Sequence, residues 1–332
     1  MIQFLIFILA MLQILILFAK SSSYGTIEEK SFVNWMRENG IMYSKDEYFY
    51  RFGLFLVSYN YVRDFNKKGN FRICLNKFAA LTTSEYNFLL NSNAQRMDND
   101  DDDNDDKMIK DKMIPESVDW RKNGIVNEIR DQGAECGASW AFAAICSQES
   151  SWAMKHNHLY NLSVGNIIDC CIYADGCNGG NPYEAFQYVL DYQNGYFMKE
   201  EDYPYHGFQG SCKFDKSKSI TRTKGYRMVR LNDEKDMAYK CAKYGVLAAV
   251  VDGSSYSFQL YNSGIYDDHS CSSWKSNLAV CVVGYGNQDK VPYWILRNSW
   301  GNSWGENGYM KFLRNANSMC GIAYMSFVPI SE

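Results

Sequence analysis

The chain has 332 residues, 46% hydrophobic and 22% charged, a balance typical of folded proteins and long enough to bury a sizeable core. A net charge of -4 with no basic cluster excludes a nucleic-acid footprint. Eleven cysteines, an odd count, point to disulfides and at least one thiol left over, while their spacing lacks paired CxxC ligands, so neither a metal site nor a cofactor is expected.

In chain order, Ile2 to Ala19 is apolar apart from Gln3 and Gln13, and small polar residues follow. This reads as a signal peptide over 1–21, cut after about Ser21. An uncleaved anchor is the alternative, because 18 residues just reach spanning length and no Lys or Arg precedes them. With cleavage, the remainder is secreted or delivered to a lysosome-like vesicle and has no membrane contact. Ile27 to Asn66 carries aromatics and charges at helical spacing without a proline. Seven aspartates between Asp98 and Asp106 repel one another and bury nothing, so 97–113 is expected to be an exposed linker and a processing region. It divides a front part, 22–96, from a back part, 114–332.

In the back part, Ser139 to Lys155 has no Pro or Gly and reads as one buried helix. From Gly245 onward, VLAAVV, LAVCVV, YWILRN and YMKFL are short apolar or alternating runs punctuated by Gly, Asn and Asp, the texture of strands. Helices followed by strands predict an α+β architecture of two lobes with a cleft between them. Asn161-Leu162-Ser163 is a glycosylation sequon, a weak signal.

Three strings carry a resemblance: DQGAECGASWAF from Asp131, GCNGGNP from Gly176 and NSWGNSWGENGY from Asn298. Together they resemble the papain family of cysteine peptidases, cathepsin-L-like branch. In the front part Glu47, Arg51, Phe55 and Asn66 are similar to the family's interrupted prosegment helix, with Ser58 and Val62 replacing its usual Asn and Ile. Asn76 and Phe78 are similar to the second prosegment motif, from which Cys74 and Ala80 depart. The resemblance implies an inhibitory helical prosegment at 22–96 and a papain-like domain at 114–332. That domain would have a helical left lobe and a β-barrel-like right lobe. It also implies disulfides Cys136 to Cys177, Cys170 to Cys212 and Cys271 to Cys320, with Cys171 an alternative to Cys170. Cys74, Cys146, Cys241 and Cys281 have no family assignment and default to buried apolar residues.

Amide hydrolysis needs a nucleophile, a base, a group that orients the base, and donors for the oxyanion. By resemblance, Gln132 is the oxyanion donor, Asn298 the orienting residue and Trp300 its shield. Ser139 stands at the cysteine position and Leu278 at the histidine position, so both reactive groups are absent. A serine needs an adjacent base more than a thiol does, and leucine offers no lone pair. His269 is the one histidine of the same lobe, in a loop that suits solvent; His156 and His158, like Glu135, read as exposed side chains. Gly179 and Gly180 are expected to let a peptide backbone approach, and Pro182, Val250, Ala279 and Met325 to shape the pocket for the residue two before the scissile bond, or simply to belong to the core.

The reading is an inactive pseudoprotease. It binds a peptide or protein in a retained cleft and its own prosegment, and relies on another protease for maturation. The alternatives are an endopeptidase with an unconventional nucleophile and a non-catalytic surface or antigenic protein.

Overall fold

The computed structural model describes residues 27–92 and 114–332; the expected signal peptide and the whole of the linker 97–113 lie outside them. Helix α1, over residues 27–38, turns at Gly40 (φ 64°) into α2, Lys45–Phe65. Ser44 caps α2, and Asp46 and Glu47 in its first turn complement the helix dipole. Aromatic rings join the two helices: Phe32 lies 5.1 Å from Phe55, and Trp35 lies 5.4 Å from the same ring. Arg51 donates to Glu47 (2.8 Å) and, through both terminal nitrogens, to Glu85 (2.6 and 2.5 Å). Glu85 belongs to α3, Thr83–Leu90, where it completes a capping box with Thr82. The Arg51 guanidinium is the main reason its carboxyl is held down at about 2.

One of the two replaced prosegment positions, Ser58, makes contacts of its own. Ser58 Oγ donates to the Ala79 carbonyl (2.5 Å) and also bonds the Tyr256 hydroxyl, so a short side chain bridges α2 to the back part. Between α2 and α3, strand β1, Arg72–Ile73, extends along the back part.

The back part begins with β2, Val118–Asp119, and then α4, Ser139–His156, which is buried over most of its length. Two of its buried serines are satisfied by carbonyls of neighbouring segments: Ser147 Oγ donates to the Val246 carbonyl (2.6 Å) and Ser151 Oγ to the Pro329 carbonyl (3.0 Å). Helices α5, Val164–Cys170, and α6, Pro182–Gln193, pack beside it, the latter opened by Pro182 and capped by Asn181 and Glu184. Then come β3, Tyr196–Met198; β4, Ser219–Met228; α7, Glu234–Tyr244; β5, Leu247–Val251; β6, Tyr261–Ser263; and β7, Ile265–Tyr266. The chain closes with β8, Leu278–Gln288; β9, Val291–Arg297; β10, Tyr309–Leu313; and β11, Ser326–Ser331.

These strands form one sheet in the order β3-β4-β11-β5-β8-β9-β10-β7, with β2 added to β8, while β1 and β6 make a separate antiparallel pair. The right lobe is therefore an open sheet and not barrel-like. Its end strands, three residues in β3 and two in β7, present too few ladder groups to close it.

Alternation along β5 and β8 explains the continuous apolar runs. Leu278, Val280 and Val282 enter one core, shared with the prosegment, and Ala279, Cys281 and Val283 enter the other, built on α4 to α6. Three disulfides, Cys136 to Cys177, Cys170 to Cys212 and Cys271 to Cys320, cross-link the back part, and Cys171 is a buried free thiol.

Candidate active site

Ser139 is the first residue of α4, and its side chain is fully buried. Its Oγ accepts from the Ala279 N–H (3.2 Å) at the start of β8 and faces the Leu90 carbonyl of the prosegment at 3.5 Å. Both partners are backbone groups, and among the described residues no base is hydrogen-bonded to the hydroxyl.

Gln132 is held firmly. Its N–H donates to the Ser299 carbonyl (2.8 Å) and its Oε1 accepts from Ser299 Oγ (2.7 Å). That leaves Nε2 free to donate to the Leu89 carbonyl (3.1 Å) and to the Cys136 carbonyl (3.0 Å). A side-chain donor is thus aimed at a peptide carbonyl crossing the cleft, the geometry an oxyanion donor requires.

Leu278, fully buried, opens β8. It meets the prosegment over Gly253: a Cβ built on that glycine would lie 3.0 Å from Leu278 Cδ2 and 3.2 Å from Leu90 Cδ2. The Leu278 and Leu90 side chains meet in this corner. At Asn298, Oδ1 accepts from the Ser299 N–H (2.8 Å), while Nδ2 is buried without a hydrogen-bond partner among the described residues. The Trp300 ring is enclosed by Phe78 (5.0 Å), Tyr86 (5.9 Å), Phe258 (6.0 Å) and Trp304 (5.2 Å).

The four histidines are engaged elsewhere. His156 bonds the Glu332 carbonyl (2.8 Å), His158 packs on Tyr160 and His206 on Phe208. His269 pairs with Asp267 (3.0 Å), its side chain 67% exposed. Glu135 is exposed.

Prosegment residues 88–92, the last turn of α3 and the two residues after it, occupy the cleft. The Gly180 N–H donates to the Asn91 carbonyl (3.3 Å), Ser92 Oγ donates to the Gly180 carbonyl (2.9 Å), and the Ser92 N–H donates to the Asn277 carbonyl (2.9 Å). Gly179 has φ 129°, and a Cβ there would lie 2.2 Å from the Asn91 oxygen. Only glycine allows that approach. Pro182 opens α6 nearby. Val250, Ala279 and Met325 are buried together in the core under this wall, with the Val250 N–H donating to the Met325 carbonyl (3.1 Å).

Sequence reasoning did not find Leu89, Leu90, Tyr86 or Gly253. Tyr86 donates its hydroxyl to the Gly253 carbonyl (2.7 Å), locking α3 to the loop after β5. These contacts run largely through main-chain carbonyls and leave no motif in the residue letters. Among the described residues no cluster of His, Cys, Asp and Glu could hold a metal ion, and no helix is long and apolar enough to cross a membrane.

Residues 114–330 match the papain family cysteine protease domain, and residues 32–86 match the cathepsin propeptide inhibitor domain. Mouse cathepsin K is 40% identical over 216 residues, which is 65% of either chain. Fruit bromelain of Ananas comosus is 33% identical over 312 residues, covering 91% of this chain and 85% of that protein. The digestive procathepsin L 3 of the Tenebrio molitor larval midgut superposes with a TM-score of 0.81 at 32% identity, over 91% of this chain and 99% of that one. The recombinant stem bromelain precursor gives 0.80 at 32% identity, over 91% and 98%. The α+β fold, the prosegment and the back domain therefore agree, and the chain belongs to the papain family of cysteine proteases, with a cathepsin-type propeptide inhibitor domain ahead of the protease domain.

Proposed function

We propose that this chain is a pseudoprotease: it holds a peptide strand in the papain-type cleft and does not hydrolyse it. The observation that carries the reading is the environment of Ser139, whose hydroxyl has only backbone partners, beside a fully buried Leu278. Proton transfer from a hydroxyl requires a base within hydrogen-bond reach, and none of the four histidines reaches Ser139. What survives is binding and an oxyanion donor, worth roughly 10³ to 10⁴ over water in a triad enzyme stripped of its reactive groups, too little for useful peptide cleavage.

Retention of binding is supported by the segment 88–92, which uses Gln132, Gly180 and Asn277 as a peptide ligand would. In this reading the signal peptide 1–21 routes the chain to secretion or a lysosome-like vesicle. The prosegment stays in the cleft until another protease cuts within 97–113, and a peptide or protein of an apolar character then takes its place.

The test is a fluorogenic peptide with Leu or Phe two residues before the scissile bond, offered to chain that has been cut in the linker by an added serine protease, afterwards quenched. No turnover is expected from the natural sequence, and turnover is expected from the Ser139→Cys, Leu278→His double variant, whose frame of Gln132 and Asn298 is intact. Turnover by the natural chain that disappears in Ser139→Ala would overturn the proposal and favour the unconventional peptidase.

A further inference from the structure

Five cysteines are free among the described residues, and two of them meet. Cys146 lies on α4, seven residues after Ser139 and so on the same face two turns deeper. Cys281 lies on β8, three residues after Leu278, and points into the same core. Both side chains border one small cavity, and Cys281 Sγ approaches the Ala143 carbonyl (3.5 Å), one helical turn before Cys146. Arg297, opposite Cys281 in the β8–β9 register, lines the same cavity as Cys146; its guanidinium is buried, one arm reaches the Glu128 carbonyl, and its Nε has no partner.

These groups border a cavity of about 20 Å³ beneath the cleft floor, lined by Ser139, Cys146, Glu149, Cys281, Arg297 and Asn298 among others. Two buried donors on its wall, Arg297 Nε and Asn298 Nδ2, lack partners. A space of that size and polarity admits one water-sized molecule and excludes a peptide or a bulky thiol reagent.

We propose that Cys146 and Cys281 form a peroxide-reactive dithiol that closes into a disulfide joining α4 to β8, and hence one lobe to the other. The oxidant is hydrogen peroxide, a molecule close to water in size. The Cys146 thiolate attacks one peroxide oxygen, the O–O bond breaks, and the departing hydroxide takes up a proton to leave as water, giving a sulfenic acid on Cys146. Cys281 sulfur then attacks the sulfenic sulfur, the S–O bond breaks, and a second water leaves. Two thiols lose two electrons, and one peroxide becomes two waters.

The electrostatics divide the roles. Burial opposes a thiolate at Cys146, but the Cys281 S–H and the Arg297 charge outweigh it and lower that thiol to about 7. Burial and the neighbouring sulfur push Cys281 well above its ordinary range. Cys146 is thus the attacking sulfur and Cys281 the resolving one. Cys241 is an internal control: it is equally buried, burial raises it to about 12, and its sulfur faces Trp120 and the Val282 carbonyl with no thiol beside it.

The test treats the native full-length chain with hydrogen peroxide at neutral pH, then measures intact mass and maps cross-linked peptides. The expected result is a loss of about 2 Da, the two thiol hydrogens, with Cys146 linked to Cys281. Cys146→Ser abolishes the change. Cys281→Ser leaves a sulfenic acid on Cys146, read as a gain of about 16 Da that dimedone captures once the oxidised chain is unfolded, and Cys241→Ser leaves the linkage intact. A folded natural chain that forms no such link, or forms it only in denaturant, overturns the proposal, as does labelling of Cys241 at the same rate as Cys146.

Discussion

Replacing Leu278 by histidine tests how dry the cleft floor is. Leu278 is fully buried against Leu90 and the flat face of Gly253, so an imidazole placed there is desolvated. Losing the leucine side chain costs about 1.5–3 kcal/mol of apolar burial at any pH. A second effect depends on pH. Burial disfavours the imidazolium, so the folded-state pKa of the new histidine falls below its unfolded value of about 6.5. The unfolded chain then binds the extra proton first, and stability is lost as pH falls below about 6.5, at about 1.4 kcal/mol per pH unit until the folded pKa is reached. Between pH 7.5 and pH 5 the variant should lose about 2 kcal/mol relative to the natural chain, whose leucine does not titrate. Urea unfolding of both full-length chains at the two pH values measures this difference. An offset between them that is the same at both would mean that position 278 is wet, and the account of a dry floor sealed by the prosegment would be wrong.

Gly179→Ala should loosen the segment 88–92, since the added Cβ would sit 2.2 Å from the Asn91 oxygen at a φ of 129°. Strain of about 1–3 kcal/mol is expected, read as faster amide exchange at Asn91 and Ser92; unchanged exchange would contradict the close approach. Glu85→Gln should flatten the acid limb of unfolding. The carboxyl of Glu85 is held at about 2, chiefly by Arg51, so its contribution is full above about 4.5 and is lost as pH falls from there towards 2. Its side chain is 39% exposed and partly screened, so the slope rather than a large energy is the readout, followed by tryptophan fluorescence. Glu234→Gln should be more damaging: that carboxylate accepts from the N–H groups of Asn315 (2.7 Å), Ala316 (3.0 Å) and Ser318 (2.9 Å) and from the Trp294 indole (3.0 Å). An amide cannot accept all four, and a loss of about 3 kcal/mol in chemical denaturation is expected.

The regular parts of the fold were legible where one physical signal dominates. The proline-free run from Ser139 gives α4 within one residue of its expected end, and VLAAVV, LAVCVV, YWILRN and YMKFL give β5, β8, β9 and β10. Strand β11 was not read, because Pro329 argues against a strand between two neighbours. It is accommodated by a register shift against β4 between Pro329 and Ser331. Strand β4 itself, SITRTKGYRM, is half exposed and carries charges that mask its alternation. The open sheet, too, was illegible, because its closure depends on the short end strands β3 and β7, which no residue pattern announces. At the cleft, the family resemblance pointed to Gln132, Ser139, Leu278 and Asn298. It could not reveal that Leu89 and Leu90 would reach them, because that meeting is a matter of chain path. Cys146 and Cys281 illustrate the same limit: each is an unremarkable small apolar residue in its own run, and only the crossing of α4 over β8 makes them neighbours.

Strand β1 grips the back domain through the peptide group. Arg72 and Ile73 pair with Ser263 and Tyr261, and the Cys74 N–H donates to the Leu260 carbonyl (2.8 Å). Amide-to-carbonyl recognition is blind to which side chain each residue bears. The outward face of this ribbon can therefore drift in charge and size between related chains while the clasp endures, and an antibody raised to that face would distinguish them without prising the two halves apart.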